Sequence, residues 1–104
     1  MEYILKPSEF FLGQIDDLSE ETNQLIEEKL RFVKRNPFRY KRIYGFGLFL
    51  FRIRFGDKKK EKRIIYLVDK PYVKILCVLD RDKEYKDLKD YLKRLKYGDF
   101  IRNI

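Results

Sequence analysis

Arg52, Arg54, Arg63 and Arg81 have the residue type and spacing to bind a phosphate-rich polyanion. Arg52 and Arg54 are two residues apart, so on a strand they share one face. If a hairpin centres near Lys59, Arg54 stands opposite Arg63. If the next turn centres between Lys70 and Pro71, Arg81 lies just past the third strand and near the same rim. Tyr85 follows one helical turn further on. A one-residue change of register would turn a strand over and disperse this group. Four guanidinium groups held together repel one another unless an anion joins them. A plainer reading of the same residues is a wet sheet face, where arginines lie along their apolar stems.

Residue counts narrow the chemistry. The 104 residues include no His and a single Cys, Cys77, so Ser-His-Asp and Cys-His sites, imidazole ligation, thiolate zinc clusters and an internal disulfide are excluded. Aliphatic hydroxyls occur only at Ser8, Ser19 and Thr22. An enzyme built on this chain must work with Arg, Lys, Tyr, Asp or Glu. Hydrophobic residues make up 44% and aromatics 16%, enough for a packed core and too many for a disordered basic tail. The length suits one domain spanning 1–104.

Lys and Arg number 25 against 17 Asp and Glu, a net charge of +8. That charge is segregated along the chain. Residues 1–28 carry one base against eight acids, net −7; 29–63 carry fourteen bases against Asp57 and Glu61, net +12; the remainder has ten bases and seven acids, net +3. A polyanion-binding surface should therefore draw on 29–63, with nucleic acid the natural partner. No stretch approaches the roughly 18 apolar residues of a membrane span, and Met1 to Pro7 lacks the pattern of a signal peptide. A cytoplasmic location is the expectation. The 40% charged content points toward a thermophilic source.

The elements that must position the arginines follow from capping and periodicity. Glu2 to Lys6 reads as a short strand. Ser8 caps a short helix through Ile15, and Ser19 caps a second, with Glu20 and Glu21 at its positive end. Leu18, Thr22, Leu25, Ile26, Leu30 and Val33 recur at helical spacing until Asn36-Pro37 ends the run. From Leu48 the period becomes two, with Phe49, Phe51, Ile53 and Phe55 on one face and Leu48, Leu50, Arg52 and Arg54 on the other. Lys62 to Val68 and Val73 to Leu79 are further strands, joined by short polar turns into an antiparallel meander. Tyr85, Leu88, Tyr91, Leu92 and Leu95 stripe a last helix that Gly98 ends. The order is β-α-α-β-β-β-α, an α+β fold with helices against one face of an antiparallel sheet.

Four fragments in this order resemble the RelE/ParE toxin superfamily. They are Asn36-Pro37-Phe38-Arg39-Tyr40-Lys41-Arg42-Ile43-Tyr44-Gly45; Leu48 through Gly56, containing Arg52-Ile53-Arg54; Arg63-Ile64-Ile65-Tyr66-Leu67-Val68; and Val73 through Tyr85, containing Asp80-Arg81. The resemblance covers nearly the whole chain. It implies a small cytoplasmic toxin with an antitoxin protein as partner. RelE-type members cut messenger RNA on the ribosome, without metal or cofactor, by attack of the 2′-hydroxyl on the adjacent phosphate to leave a 2′,3′-cyclic phosphate. By the same resemblance Arg52, Arg54, Arg63, Arg81 and Tyr85 are the catalytic candidates. Arg63 and Arg81 would hold the phosphorane by bidentate bonds, and Tyr85 would stack on or hydrogen-bond to the cleaved nucleotide. Arg39, Lys41, Arg42, Lys58, Lys59, Lys60 and Lys62 are the RNA-binding candidates.

The chain departs from the family pattern at two places. Some members have lysines where this chain has Arg52 and Arg54, and arginine stays protonated, so neither serves as a general base. The histidine usual before the last arginine is Asp80, which could serve as a base and is expected here instead to pair structurally with Arg81. Two other readings stay open: a ParE-like inhibitor of DNA gyrase with no nuclease activity, and a non-toxic relative that binds RNA or protein. Tyr91, Leu92 and Leu95 read as core, as does Cys77. The 98–104 segment, with three apolar residues in seven, reads as an extension or a partner contact.

Overall fold

The computed structural model describes residues 2–81 and 84–94, with side chains in the last segment described at 88–93. The elements are β1 (Ile4–Pro7), α1 (Glu9–Asp16), α2 (Glu20–Arg35), β2 (Lys41–Ile43), β3 (Leu50–Asp57), β4 (Lys60–Asp69), β5 (Tyr72–Asp80) and α3 (Glu84–Arg94). One five-stranded sheet has the order β1-β5-β4-β3-β2. The α+β class and the helix pair, meander and final helix agree with the periodicities. Strand β2 is an addition to the expected order; its three residues are too short to display a period. The first strand of the meander also starts later than expected, because Phe49 lies outside β3 and is exposed.

The sheet itself corrects two expectations. β1 pairs with β5 in parallel, Ile4 opposite Tyr72 through Pro7 opposite Ile75, so the sheet is mixed rather than antiparallel. Helices cover both faces rather than one. The cause is legible in β4, where Ile64, Ile65, Tyr66, Leu67 and Val68 are all buried, so both faces must be shielded from water. Phe11, Ile26 and Val33 of α1 and α2 pack on one face against Phe51, Ile53, Ile64, Tyr66 and Ile75. Leu88 and Tyr91 of α3 pack on the other against Leu50, Ile65, Leu76, Cys77 and Leu79. Cys77 is core, and burial pushes its thiol up to about 12, which removes it as a nucleophile.

The helices start where the caps place them. Ser8 accepts from the Phe11 N–H at 3.0 Å and Ser19 from the Thr22 N–H at 3.1 Å. Acidic residues in the first turn of α2 and Lys34 and Arg35 in its last both suit the helix dipole. Asn36 and Pro37 then end it. β1 covers only the first part of β5, leaving the remaining edge open to unwanted pairing. α1 closes that edge: the Gln14 side chain donates to the Val78 carbonyl at 2.8 Å and accepts from the Val78 N–H at 2.6 Å. The Ser8 hydroxyl donates to the Leu76 carbonyl at 2.6 Å.

Two ties set the hairpin and the loop before β2. Tyr66 is fully buried, stacks on Phe51 with centroids 5.5 Å apart, and donates its hydroxyl to the Pro37 carbonyl at 2.7 Å. Burial pushes its pKa well above the ordinary tyrosine range, so the donor is retained. At the hairpin, the buried carboxylate of Asp57 accepts from the Thr22 hydroxyl at 2.6 Å and the Ser19 hydroxyl at 3.3 Å, binding the start of α2 to the end of β3. Among the described residues, no helix is long and apolar enough to cross a membrane.

Candidate phosphate-binding site

The site is built on β3 and β4, on the face that α3 covers. Asp57 pairs with Lys60 around a two-residue loop, and this register puts Arg54 directly opposite Arg63 and Arg52 opposite Ile65. On the far side Arg63 faces Leu79, and Lys41 of β2 faces Arg52. Arg52 and Arg63 are only 8% and 7% exposed, so this is no wet face. They share the sheet face of Leu50, Ile65 and Leu79. Arg54 and Arg81 are about half exposed at the rim. An open cavity of about 380 Å³ is lined by Tyr40, Lys41, Arg52 and Arg54.

An acid sits inside this cluster. The Nη1 of Arg81 donates to the Oε2 of Glu61 at 2.7 Å, and the Nε of Arg54 lies 3.8 Å from Oε1 of the same carboxylate. Glu61 is thus the anion that joins two of the arginines. Pairs this exposed contribute less than about 1 kcal/mol to stability, so the pair is a poor candidate for a purely structural device. Sequence reasoning misses Glu61 as a site residue, although a signal exists. It precedes Arg63 by two residues and must share its face, one rung beyond the Lys62–Asp80 pair.

Asp80 corrects the expected pairing with Arg81. Its carboxylate accepts from the Nζ of Lys62 at 2.6 Å, on the opposite face of the sheet from Arg63. The cause is a register shift between Ile65 and Tyr66: Tyr66 faces Ile75 but Ile65 faces Cys77, so β5 carries one extra residue. That bulge reverses the alternation of everything after it, turning Asp80 toward Lys62 and leaving Arg81 for Glu61.

The other basic candidates divide into three locations. Lys62, with its side chain only 19% exposed, is held by Asp80 away from the arginines. Lys58 and Lys60 line a different cleft of about 640 Å³, together with Phe10, Asp57, Lys62 and Asp80; Lys59 is exposed at the hairpin tip. The guanidinium of Arg39 stacks over Phe32 at 4.4 Å. That of Arg42 lies between Tyr44 at 4.8 Å and Phe49 at 4.4 Å. Only Lys41 of the proposed RNA contacts borders the arginine cavity. The side chain of Tyr85 and the whole 98–104 segment lie outside the described residues. Among the described residues, no three His, Cys, Asp or Glu side chains gather to hold a metal ion.

Among the described residues, one lysine has a depressed pKa. Burial lowers Lys74, whose Nζ has no hydrogen-bond partner among the described residues. It faces Leu67, toward the opposite end of β5 from Arg81.

Comparison with known proteins agrees with this geometry at the level of the fold. No protein-family model matches the chain, and no curated protein sequence is significantly similar to it. Solved structures are similar. A mutant E. coli RelE toxin in the free state superposes with a TM-score of 0.74 at 19% identity, covering 91% of this chain and 99% of that one. RelE-containing complexes are also similar. The intact E. coli RelBE toxin–antitoxin complex gives a TM-score of 0.65 at 19% identity over 75% of this chain and 95% of that one. The archaeal RelE–RelB complex from Pyrococcus horikoshii gives 0.59 at 20% identity over 78% and 97%. The chain therefore has the RelE fold.

Proposed function

We propose that this chain is a RelE-like toxin, a ribosome-dependent endoribonuclease that cuts messenger RNA without metal or cofactor and is neutralised by a cognate antitoxin. The observation that carries this reading is the gathering of Arg52, Arg54 and Arg63 on one sheet face, with Arg81 at its rim, on a fold shared with RelE toxins. In-line attack of a 2′-hydroxyl builds negative charge on the phosphorane oxygens, and guanidinium groups placed in advance stabilise that charge without reorganisation. Two of the similar structures are toxin–antitoxin complexes, which supports an antitoxin partner. A ribosomal target places the protein in the cytoplasm.

The test is primer extension on cellular messages after induced expression, with purified chain on translating ribosomes as the second arm. Wild type should stop growth and leave cut messages ending in 2′,3′-cyclic phosphate. Arg81→Ala and Arg63→Ala should each lower the cleavage rate by about 10²–10³-fold. Growth arrest with intact messages and inhibited DNA gyrase would replace this reading with the ParE-like one.

A further inference from the structure

We infer that Glu61 is the general base of this site, taking the proton from the attacking 2′-hydroxyl. The inference rests on the ribonuclease reading above and supplies the group that reading lacks. With no His in the chain and arginines unable to deprotonate, the base must be a carboxylate, a lysine or a tyrosine. Glu61 is a carboxylate whose oxygens approach two arginines of the cluster, at 2.7 Å from Arg81 and 3.8 Å from Arg54. Asp80 is turned to the other face and engaged by Lys62. Lys74, the lysine with a lowered pKa, stands five residues before Leu79, the partner of Arg63. At strand rise that is roughly 16 Å along β5, too far to share a phosphodiester with Arg63. Lys41 is three strands from Arg81, roughly 14 Å across the sheet.

The arrangement also has the right relative placement. Glu61 engages one nitrogen of Arg81, and a guanidinium has further donors in the same plane. A phosphate bound by those donors and by Arg63 would lie beside the carboxylate, which is one-third exposed and so accessible to substrate. Opposite Glu61 stands Gly56, where an added Cβ would meet nothing closer than the Lys60 carbonyl at 3.9 Å. No β3 side chain therefore stands across this rung from Glu61.

In the step itself, the 2′-hydroxyl proton passes to Glu61 while the oxygen lone pair forms the bond to phosphorus. The bond from phosphorus to the 5′-oxygen breaks, and that oxygen takes a proton from water. The hydroxide left behind recovers the proton held on Glu61. The products are a 2′,3′-cyclic phosphate and a 5′-hydroxyl, and the carboxylate is regenerated.

The experiment measures single-turnover cleavage of a messenger on programmed ribosomes by the full chain, alongside ribosome co-sedimentation and thermal melting. Glu61→Gln keeps an oxygen that can accept from Arg81 but cannot take a proton. It should slow cleavage at least ~100-fold while leaving ribosome binding within about twofold. Glu61→Ala should recover cleavage in added formate. A Glu61→Gln variant that cleaves within about threefold of wild type overturns the proposal and leaves the ribonuclease reading standing. Loss of ribosome binding in step with cleavage, or no recovery with formate, would assign Glu61 to holding Arg81 and overturn it too. A wild type that leaves messages intact overturns the ribonuclease reading and this inference together.

Discussion

A side chain's meaning in this molecule depends on which face of the sheet it occupies. Arg52 and Arg63 are buried among apolar neighbours, a costly place for charge unless it serves something. Glu61 and Asp80, both near Arg81 in sequence or register, end up on opposite faces with different partners. Asp57 is the buried acid whose role is structural. The hydrogen bond from Thr22 holds its pKa below the ordinary carboxylate value, outweighing the opposing effect of burial, with Ser19 adding to it. Because the folded-state pKa is depressed, the stabilisation is complete above the unfolded-state pKa and is lost as pH falls through the folded value. Asp57→Asn should therefore be less stable than wild type at neutral pH, and the gap should close below about pH 4. Urea midpoints across roughly pH 2–7 measure it; a gap independent of pH would show that the Asp57 charge is not what matters.

The β3–β4 hairpin both sets the register of the arginines and carries strain. Lys58 and Lys59 have φ of 49° and 67°, the left-handed conformation of a type I′ turn that favours Asn and Gly. Two lysines in these positions cost about 1 kcal/mol each relative to residues suited to the turn. The double variant Lys58→Asn, Lys59→Gly should raise stability by about 1–2 kcal/mol, seen as a melting temperature higher by roughly 5–10 °C. A melting temperature at or below that of wild type would mean that the lysines stabilise the turn in some other way. The β5 bulge is the second device at this scale, since one extra residue decides whether Asp80 or Arg81 stands on the face of Arg63 and Glu61.

Across the whole molecule, the sheet separates unlike charge. The acidic start of the chain forms α1 and the first half of α2 on one face, while Arg52, Arg54 and Arg63 lie on the other. Binding to single-stranded RNA should weaken linearly in log affinity against log salt. The same Lys58→Asn, Lys59→Gly variant should reduce that slope by about 1.4, or about 0.7 for each phosphate no longer neutralised. Titration of a fluorescent poly(U) oligonucleotide at several salt concentrations reads the change, and an unaltered slope would remove the hairpin tip from the RNA surface.

Local physics made much of this legible in the residues alone. Ser8 and Ser19 mark helix starts because their side chains satisfy amides that the helix cannot. The two-residue turn at Lys58-Lys59 places Arg54 opposite Arg63 by counting outward from the turn. The absence of His and the segregated charge limit the chemistry before any fold is known. Three features had no local signature. β1 pairs with β5 across most of the chain, where no turn constrains the partners. The covering of both faces depends on which of two apolar stripes each helix meets. The bulge that brings Arg81 in place of Asp80 to the face of Glu61 is a compromise between strands in register, and its effect reaches Arg81 only because alternation propagates along β5. Composition and spacing determined that arginines would gather; the tertiary structure decided that Arg81 and not Asp80 joins them beside Glu61, because the face a residue occupies is a property of paired strands and not of one strand alone.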